Sequence, residues 1–178
     1  MVQIKEGNLF DTDAKIIVHQ VNCQGIMGSG VAKQVRDRYP HVYDEYKKFI
    51  ISARNKSETF LGCVLCVPLQ KEFVSLAPLG DIFYNGSYIA NLFGQDRYGY
   101  DGRCYTDLKA LKRGFEHVNA LTYLKNNLYN AKIAMPYKIG CARGGADWNL
   151  VRELISTIFT ERHVELWKLK GDEDNVYI

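Results

Sequence analysis

The sequence has no long hydrophobic run and no tract dominated by proline, by glycine and serine, or by one charge. No apolar stretch approaches the roughly 18 residues that a helix needs to span a bilayer, and no secretory leader pattern opens the chain. Lysines and arginines alternate with acidic residues, and the net charge is only +3. We therefore expect a cytosolic protein without a membrane partner. Nothing in the charge pattern supports a nucleic-acid partner, although a basic pocket for one small anion is compatible with it.

The cysteines do not form a recognisable metal site. The chain has five of them, but no second C-x-x-C pair and no H-x-x-x-H spacing completes a zinc site. Cys63 and Cys66 have C-x-x-C spacing within an apolar, strand-like run, where alternation points their sulfurs to opposite faces. We interpret this pair as core packing, with redox or metal chemistry as the alternative, and we expect no cofactor.

Length and composition indicate a single domain, because 178 residues with an apolar fraction of 47% can build one substantial core. Periodicity predicts strands at residues 2–4, 15–21, 62–68, 73–76, 87–93, 132–135 and 164–169, with a turn at Asn85-Gly86. It predicts helices at residues 29–39, 41–52, 106–128 (with Thr106 as N-cap) and after Asp147. This alternation predicts a three-layer α/β/α domain with a mixed, mostly parallel central sheet.

Two glycine-rich loops each follow a predicted strand and precede a helix. The first runs from Asn22 through Gly25, Gly28 and Gly30, and the second covers residues 139–146. Such loops place backbone N–H groups and the positive end of a helix dipole where an anion binds. Their spacing matches neither common nucleotide fingerprint, G-x-G-x-x-G or G-x-x-x-x-G-K-[ST]. Because both loops lie at carboxyl ends of strands, they predict a site for one diphosphate.

Several side chains near these loops are candidates for function, and each has a structural alternative. Asn22 either contacts a ligand or braces its own turn. His19, in the same strand, is either catalytic or a core residue with its hydrogen bonds satisfied. Asp96 and Arg97 supply either a carboxylate and a cation to the rim of the site or an ordinary surface pair. Trp167 either stacks on a base or fills the core.

Three sequence motifs carry a family resemblance. The first motif is Glu6-Gly7-Asn8-Leu9. The second is Val18-His19-Gln20-Val21-Asn22 leading into Gly28-Ser29-Gly30-Val31-Ala32. The third is Met135-Pro136-Tyr137-Lys138-Ile139-Gly140-Cys141, with Asp147-Trp148 behind it. Together they resemble the macro domains, the ADP-ribose-binding α/β/α family, over residues 2–169. The resemblance implies ADP-ribose or a derivative as the ligand.

The resemblance also implies which residues contact that ligand. In macro domains the first glycine loop wraps the distal ribose and the neighbouring phosphate, the second covers the diphosphate, and an aromatic residue of the last strand lies near the adenine. Residue by residue, the implied contacts are Asn8, Leu9, Asn22, Gly28, Ser29, Gly30, Val31, Gly140, Cys141, Ala142, Arg143, Gly144, Gly145 and Trp167. Asn8 stands where the family usually has an acidic residue that accepts from the adenine amino group. An amide oxygen accepts the same bond more weakly.

Branches of the family differ in chemistry. In the branch that removes ADP-ribose from glutamate or DNA bases, a lysine near the end of the middle strand is central. This sequence has Ile89-Ala90-Asn91-Leu92-Phe93-Gly94-Gln95 there, and Gly144 where protein-directed members use an aspartate. The branch of ADP-ribose 1″-phosphate phosphatases tolerates Asn8 and has a histidine where His19 stands. The resemblance therefore favours a phosphatase.

The implied mechanism needs no metal. Backbone N–H groups of residues 28–30 hold the anionic transition state, Asn22 fixes the distal ribose, and His19 or Asp96 handles a proton or orients water. The protein is expected to act as a monomer. The alternatives are a non-catalytic ADP-ribose-binding module and a hydrolase of ADP-ribosylated protein or nucleic acid. A Rossmann-type enzyme would need an acidic ribose-binding residue near residues 43–51, which are predicted to be helical.

Overall fold

The protein is described by a computed structural model that covers residues 1–56, 59–71, 86–124 and 128–171. Its strands are β1 (Val2–Glu6), β2 (Ile16–Asn22), β3 (Val64–Pro68), β4 (Tyr88–Gln95), β5 (Ile133–Pro136) and β6 (Val164–Lys168). Its α-helices are α1 (Gly30–Arg38), α2 (Pro40–Asn55), α3 (Leu108–Leu124) and α4 (Trp148–Ile158), and a 3-10 helix, Leu9–Asp11, follows β1.

The strands form one mixed sheet, whose order within the described ranges is β1-β6-β5-β2-β4-β3. Neighbouring strands are parallel except β3, which runs antiparallel to β4 at the edge. Helices α1 and α2 cover one face of the sheet, and α3 and α4 cover the other. The predicted three-layer α/β/α architecture with a mostly parallel sheet is confirmed.

The central strand β2 is buried on both faces. Ile16 and Val18 pack into the core on the side of α3 and α4, whereas Ile17 and Val21 pack into the core on the side of α1 and α2. A strand that is covered on both faces needs apolar residues at consecutive positions, which explains its run of Ile, Ile and Val. The two cores hold β2 rigidly, and its carboxyl end supplies the first glycine loop.

The C-x-x-C pair is divided between the two cores, as alternation along a strand predicts. Cys66 packs on the α3 and α4 side and Cys63 on the α1 and α2 side, and both are free thiols. The interpretation of this pair as core packing is confirmed. No helix in the described part of the chain combines the length and the apolar character that crossing a bilayer requires.

The structure corrects the start of the third helix. Thr106 was predicted as its N-cap, but α3 begins at Leu108, and Asp107 Oδ1 accepts a hydrogen bond from the Ala110 N–H at 2.8 Å. Thr106 instead donates its hydroxyl to the Gly140 carbonyl at 2.7 Å, because the second glycine loop passes beside it. The predicted strand at residues 73–76 and Asn85 of the predicted turn lie outside the described residues.

Candidate functional site

A cleft of about 790 Å³ opens at the carboxyl ends of β2, β5 and β6, and both glycine loops line it. Each residue that the family resemblance implies as a ligand contact, from Asn8 to Trp167, belongs to its lining. Of the three catalytic candidates, Asn22 and His19 line the cleft, whereas Asp96 does not. The fold therefore gathers segments that are distant in sequence around one space, as expected for a ligand site of an open α/β sheet.

The first glycine loop is braced by Asn22 at the end of β2. The Asn22 amide donates from Nδ2 to the Ile26 carbonyl at 2.6 Å, and Oδ1 accepts from the N–H groups of Gln24 at 2.9 Å and Ile26 at 3.3 Å. The Tyr46 hydroxyl of α2 also lies within hydrogen-bond distance of Asn22, 2.7 Å from its backbone carbonyl oxygen. Bracing of the turn, one of the two readings of Asn22, is thus observed, whereas its contact with a ligand stays a prediction.

The second glycine loop is tied to the floor of the cleft by a polar network. Gln20 donates from Nε2 to Gln95 Oε1 at 2.7 Å and to Thr106 Oγ1 at 2.9 Å, and Thr106 donates in turn to the Gly140 carbonyl. The backbone N–H of Thr106 donates to the Gly144 carbonyl at 2.9 Å. A Cβ at Gly140 would lie 2.7 Å from Gln20 Oε1, and one at Gly144 would overlap the Thr106 hydroxyl. Close approach therefore requires glycine at both positions.

Trp167 forms an aromatic part of the cleft wall. Trp167, near the end of β6, lines the cleft, and an atom of its six-membered ring lies 3.2 Å from the position that a Cβ on Gly7 would take. Its indole Nε1 donates to Glu165 Oε2 at 3.0 Å. Asn8 Oδ1 accepts from the Phe10 N–H at 3.0 Å and so caps the 3-10 helix. One lone pair of the Asn8 oxygen is therefore already in use.

The comparisons with sequences reach distant relatives. No family model matches the chain. It is 23% identical over 171 residues to a DNA ADP-ribosyl glycohydrolase of Mycobacterium tuberculosis, an alignment that covers 90% of this chain but 39% of that protein. A segment of 43 residues, 24% of this chain, is 42% identical to an ADP-ribose 1″-phosphate phosphatase of Neosartorya fischeri and covers 22% of that protein. The chain thus spans less than half the length of the glycohydrolase.

The comparison of structures decides the fold. The macrodomain of Mycobacterium tuberculosis DarG superposes with a TM-score of 0.70 at 22% identity, over 94% of this chain and 97% of that one. Thermosipho africanus DarTG in complex with ADP-ribose superposes with a TM-score of 0.71 at 18% identity, over 98% of this chain and 43% of that one. The chain has the macro domain fold. The resemblance that the sequence motifs carried is confirmed at this level.

His19 of the macro domain lies below the first glycine loop and is only 1% exposed. Its Nε2 lies 2.8 Å from Asn91 Oδ1 on β4, and its Nδ1 is buried without a hydrogen-bond partner among the residues that the structure describes. Burial lowers the pKa of this imidazole to about 4, so the ring is neutral at neutral pH. A neutral ring bonded through Nε2–H presents Nδ1 as an acceptor. At neutral pH His19 is therefore a weak base, which can accept a hydrogen bond at Nδ1 and carries no extra proton to donate.

The buried imidazole should make the stability of the macro domain depend on pH. An unfolded histidine binds a proton near pH 6.5 and the folded ring only near pH 4, so the unfolded state holds more protons between these values. The free energy of unfolding should therefore fall by about 2 kcal/mol when the pH is lowered from about 7 to about 5. Urea unfolding at both pH values measures it.

A pair of variants isolates this contribution of His19. In His19→Gln, most of the difference in the free energy of unfolding between the two pH values should disappear. His117→Gln, which replaces an exposed histidine of α3, should keep this difference. An equal pH dependence in His19→Gln and in the unmodified protein would show that this ring does not carry it.

Asp96 lies outside the cleft. Its side chain is 62% exposed and lies 3.7 Å from Arg97 Nε, the geometry of a surface pair. Unlike His19, Asp96 does not belong to the lining of the cleft, and a catalytic role for Asp96 stays a prediction. The neighbouring residues Tyr98 and Tyr100 do line the cleft, and the Arg143 guanidinium lies 4.6 Å from the centre of the Tyr100 ring.

Sequence reasoning missed three residues that shape the cleft: Gln20, Thr106 and Glu165. Gln20 carried a weak signal, since it is a polar residue near the end of a strand that is otherwise mostly apolar. The local sequence around Thr106 indicated only a helix cap, and Glu165 carried no local signal, because the partners of both side chains lie far away in the chain. Lys138 and Lys168 also line the cleft and lie 5.6 Å and 5.7 Å from the centre of the Tyr137 ring. They add positive charge near the mouth.

Proposed function

We propose that this macro domain binds ADP-ribose in its cleft and hydrolyses ADP-ribose 1″-phosphate to ADP-ribose and inorganic phosphate. The observation that carries the proposal is the meeting of two glycine loops, after β2 and after β5, on one cleft of about 790 Å³. That volume falls within the roughly 300–1,000 Å³ usual for sites of small molecules and cofactors. The macro domain fold and a structural neighbour in complex with ADP-ribose support the same ligand.

The two loops suit the diphosphate. Each precedes a helix, α1 or α4, so backbone N–H groups and the positive end of a helix dipole face the anion. The glycines at 140 and 144 let the second loop lie against the Thr106 hydroxyl, and the first loop keeps its shape through Asn22. Arg143, Lys138 and Lys168 add positive charge around the cleft. The base would lie against Trp167, and its amino group would use the remaining lone pair of Asn8 Oδ1.

For the hydrolysis, the phosphomonoester at the distal ribose would lie against the N–H groups of residues 28–30. Water adds to phosphorus and gives up a proton, the bond between phosphorus and the ribose oxygen breaks, and the ribose oxygen takes up a proton, which leaves ADP-ribose and inorganic phosphate. N–H groups that are fixed before the reaction stabilise the negative charge that grows on the phosphoryl oxygens. His19, with its lowered pKa, is a weak base, so its role is to orient the water or the ribose through Nδ1. Asp96, which does not line the cleft, is the remaining candidate for moving the proton.

A second candidate function is removal of ADP-ribose from DNA. It is favoured by the alignment with the DNA ADP-ribosyl glycohydrolase, which covers 90% of this chain. Against it, β4 ends in Gly94 and Gln95 and contains no lysine. The Gln95 side chain is held by Gln20 and donates to the Arg97 carbonyl at 3.1 Å. The lysines of the cleft, Lys138 and Lys168, come from the ends of β5 and β6 instead.

Three assays on the purified protein distinguish these functions. Titration calorimetry should detect binding of ADP-ribose, and ADP-ribose 1″-phosphate should release inorganic phosphate while p-nitrophenyl phosphate, the control for contaminating phosphatases, should not. Oligonucleotides with ADP-ribosylated thymidine and peptides with ADP-ribosylated glutamate should stay intact, because the lysine of β4 is missing. Binding without any phosphate release would establish a binding module instead. Release of ADP-ribose from the oligonucleotide would establish the glycohydrolase.

We also propose that the macro domain works as a monomer in the cytosol and needs no metal ion. Phosphate release should then be unchanged by a chelator such as EDTA. The activity per molecule should also be independent of protein concentration. Loss of activity with the chelator, and its recovery with a divalent cation, would contradict the proposed mechanism.

A further inference from the structure

We propose that Glu165 is a positioning residue, which holds the indole of Trp167 as a fixed wall of the cleft and thereby sets the affinity for the base of the ligand. The inference rests on the proposed binding of ADP-ribose. Glu165 itself does not line the cleft and acts through Trp167 alone.

Glu165 and Trp167 lie two residues apart on β6, so their side chains project from the same face of the sheet. Glu165 is only 3% exposed, since β6 is flanked by β1 and β5 and the side chain lies under the segment that follows the 3-10 helix. The Trp167 Nε1–H donates to Glu165 Oε2 at 3.0 Å. This bond selects one orientation of the ring, because an indole has a single donor.

The carboxylate is held independently of the indole. The Thr12 hydroxyl donates to the same oxygen, Oε2, at 3.0 Å, and Lys132 Nζ lies 3.5 Å from Oε1. Lys132 also pairs with Asp13. A buried carboxylate persists only when such partners offset its desolvation. Because two groups from separate parts of the chain, Thr12 and Lys132, hold Glu165, it can orient the tryptophan.

The other edge of the indole meets the backbone. Its six-membered ring lies 3.2 Å from the position that a Cβ on Gly7 would take, and Gly7 precedes Asn8 and Leu9 of the cleft lining. The ring is thus held between a hydrogen bond on its N–H side and the Gly7 backbone on the other. Stacking depends on the orientation of the ring, so a ring that rotates freely should bind a base less well.

The test compares ligands with and without a base. ADP-ribose and ribose 5-diphosphate are titrated into the unmodified protein, Glu165→Met and Glu165→Gln. Glu165→Met removes the acceptor and should weaken ADP-ribose binding about tenfold, while the affinity for ribose 5-diphosphate stays within about twofold. Glu165→Gln retains an oxygen for the indole and should restore ADP-ribose binding to within about threefold. Equal losses for both ligands, or no loss, would overturn the inference.

Two further variants guard against effects on folding. Lys132→Met removes the group beside Oε1, but Thr12 still holds Oε2, the oxygen that accepts from Trp167, so this variant should lower stability without a base-dependent loss of affinity. Trp167→Phe keeps an aromatic ring but has no donor. The Trp167→Phe protein and the double variant Trp167→Phe/Glu165→Gln should therefore bind ADP-ribose equally. Trp167→Phe alone should show the base-dependent loss of affinity, even if Glu165→Met fails to fold.

A ligand-free measurement separates this inference from the proposed function. The chain has two tryptophans, so in a Trp148→Phe background the fluorescence reports on Trp167 alone. Glu165→Met should lower its fluorescence anisotropy, and Glu165→Gln should not. If the unmodified protein bound no ADP-ribose, the proposed function would fail, and the anisotropy would still decide whether Glu165 fixes the ring. Unchanged anisotropy in a folded Glu165→Met would refute it.

Discussion

Replacing Gly144 with alanine is expected to lower the affinity for ADP-ribose by a factor of roughly one hundred or more, equivalent to about 2.8 kcal/mol. A Cβ at this position would overlap both the Thr106 hydroxyl oxygen and the Gly140 carbonyl oxygen and would lie 3.0 Å from Gln20 Nε2. One of these contacts is with backbone, and the other two are with side chains that each make two hydrogen bonds, so none of the three can yield easily. The second glycine loop must move as a whole, and it would carry its N–H groups away from the diphosphate.

Titration calorimetry of Gly144→Ala checks this expectation, with Gly102→Ala as the matched control. Gly102 has a φ of +76°, and a Cβ there would meet nothing within 4 Å. It does not line the cleft. The control should therefore lose about 1 kcal/mol of stability to backbone strain but keep its affinity. If Gly144→Ala bound ADP-ribose as tightly as Gly102→Ala did, the second loop would not be the diphosphate site.

Asn22→Ala is expected to lower kcat/KM for phosphate release by at least about a hundredfold, equivalent to about 2.7 kcal/mol of transition-state stabilisation. The side chain satisfies the N–H groups of Gln24 and Ile26 and the Ile26 carbonyl, all within the first glycine loop. Alanine leaves these groups without partners, and the loop loses the shape that would present its N–H groups to the phosphoryl oxygens. Stability should fall by about 2 kcal/mol, since buried polar groups that lose a partner cost about 1–3 kcal/mol each and loop groups regain part of this from water.

The rate of phosphate release and the urea midpoint of Asn22→Ala measure these two effects. Gln24→Ala serves as the control, because the Gln24 side chain reaches out of the loop to the Asp96 carbonyl at 3.1 Å while its backbone N–H keeps the bond to Asn22. The control should stay within about threefold of the unmodified protein. Retained activity in Asn22→Ala would mean that neither the bracing nor the ribose contact of Asn22 matters for the reaction.

The order of elements was predictable because local chemistry encodes it. Each of the signals that predict the elements is contained in a short segment. They are the apolar periodicity of β2 and α3, the pair of Tyr39 and Pro40 where α1 ends and α2 begins, and the capping of α4. The Asp147 carboxylate, for instance, accepts from the Asn149 N–H at 2.7 Å, a bond between near neighbours. Both glycine loops were placed at strand ends by the same reasoning, and macro domain motifs then identified the fold.

Roles that depend on distant partners were not predictable. Thr106 looked like a helix cap, but its hydroxyl bonds to Gly140, 34 residues away. Glu165 has no distinguishing signal in the sequence around it, and its bond with Thr12 spans 153 residues. The candidate catalytic histidine was selected from its position beside Asn22, yet its lowered pKa arises from burial between layers. Each of these properties belongs to an arrangement that exists only after folding.

The sequence alone therefore determined the three layers of this protein, its mostly parallel sheet and the position of the two glycine loops at strand ends, because propensity, caps and glycine placement act over a few residues. Packing settled how Asn22 shares its hydrogen bonds, why Gly144 has no room for a side chain, and how a carboxylate orients the tryptophan of the cleft. These features depend on contacts of a few ångströms between segments far apart in sequence, and such distances are set by the whole core.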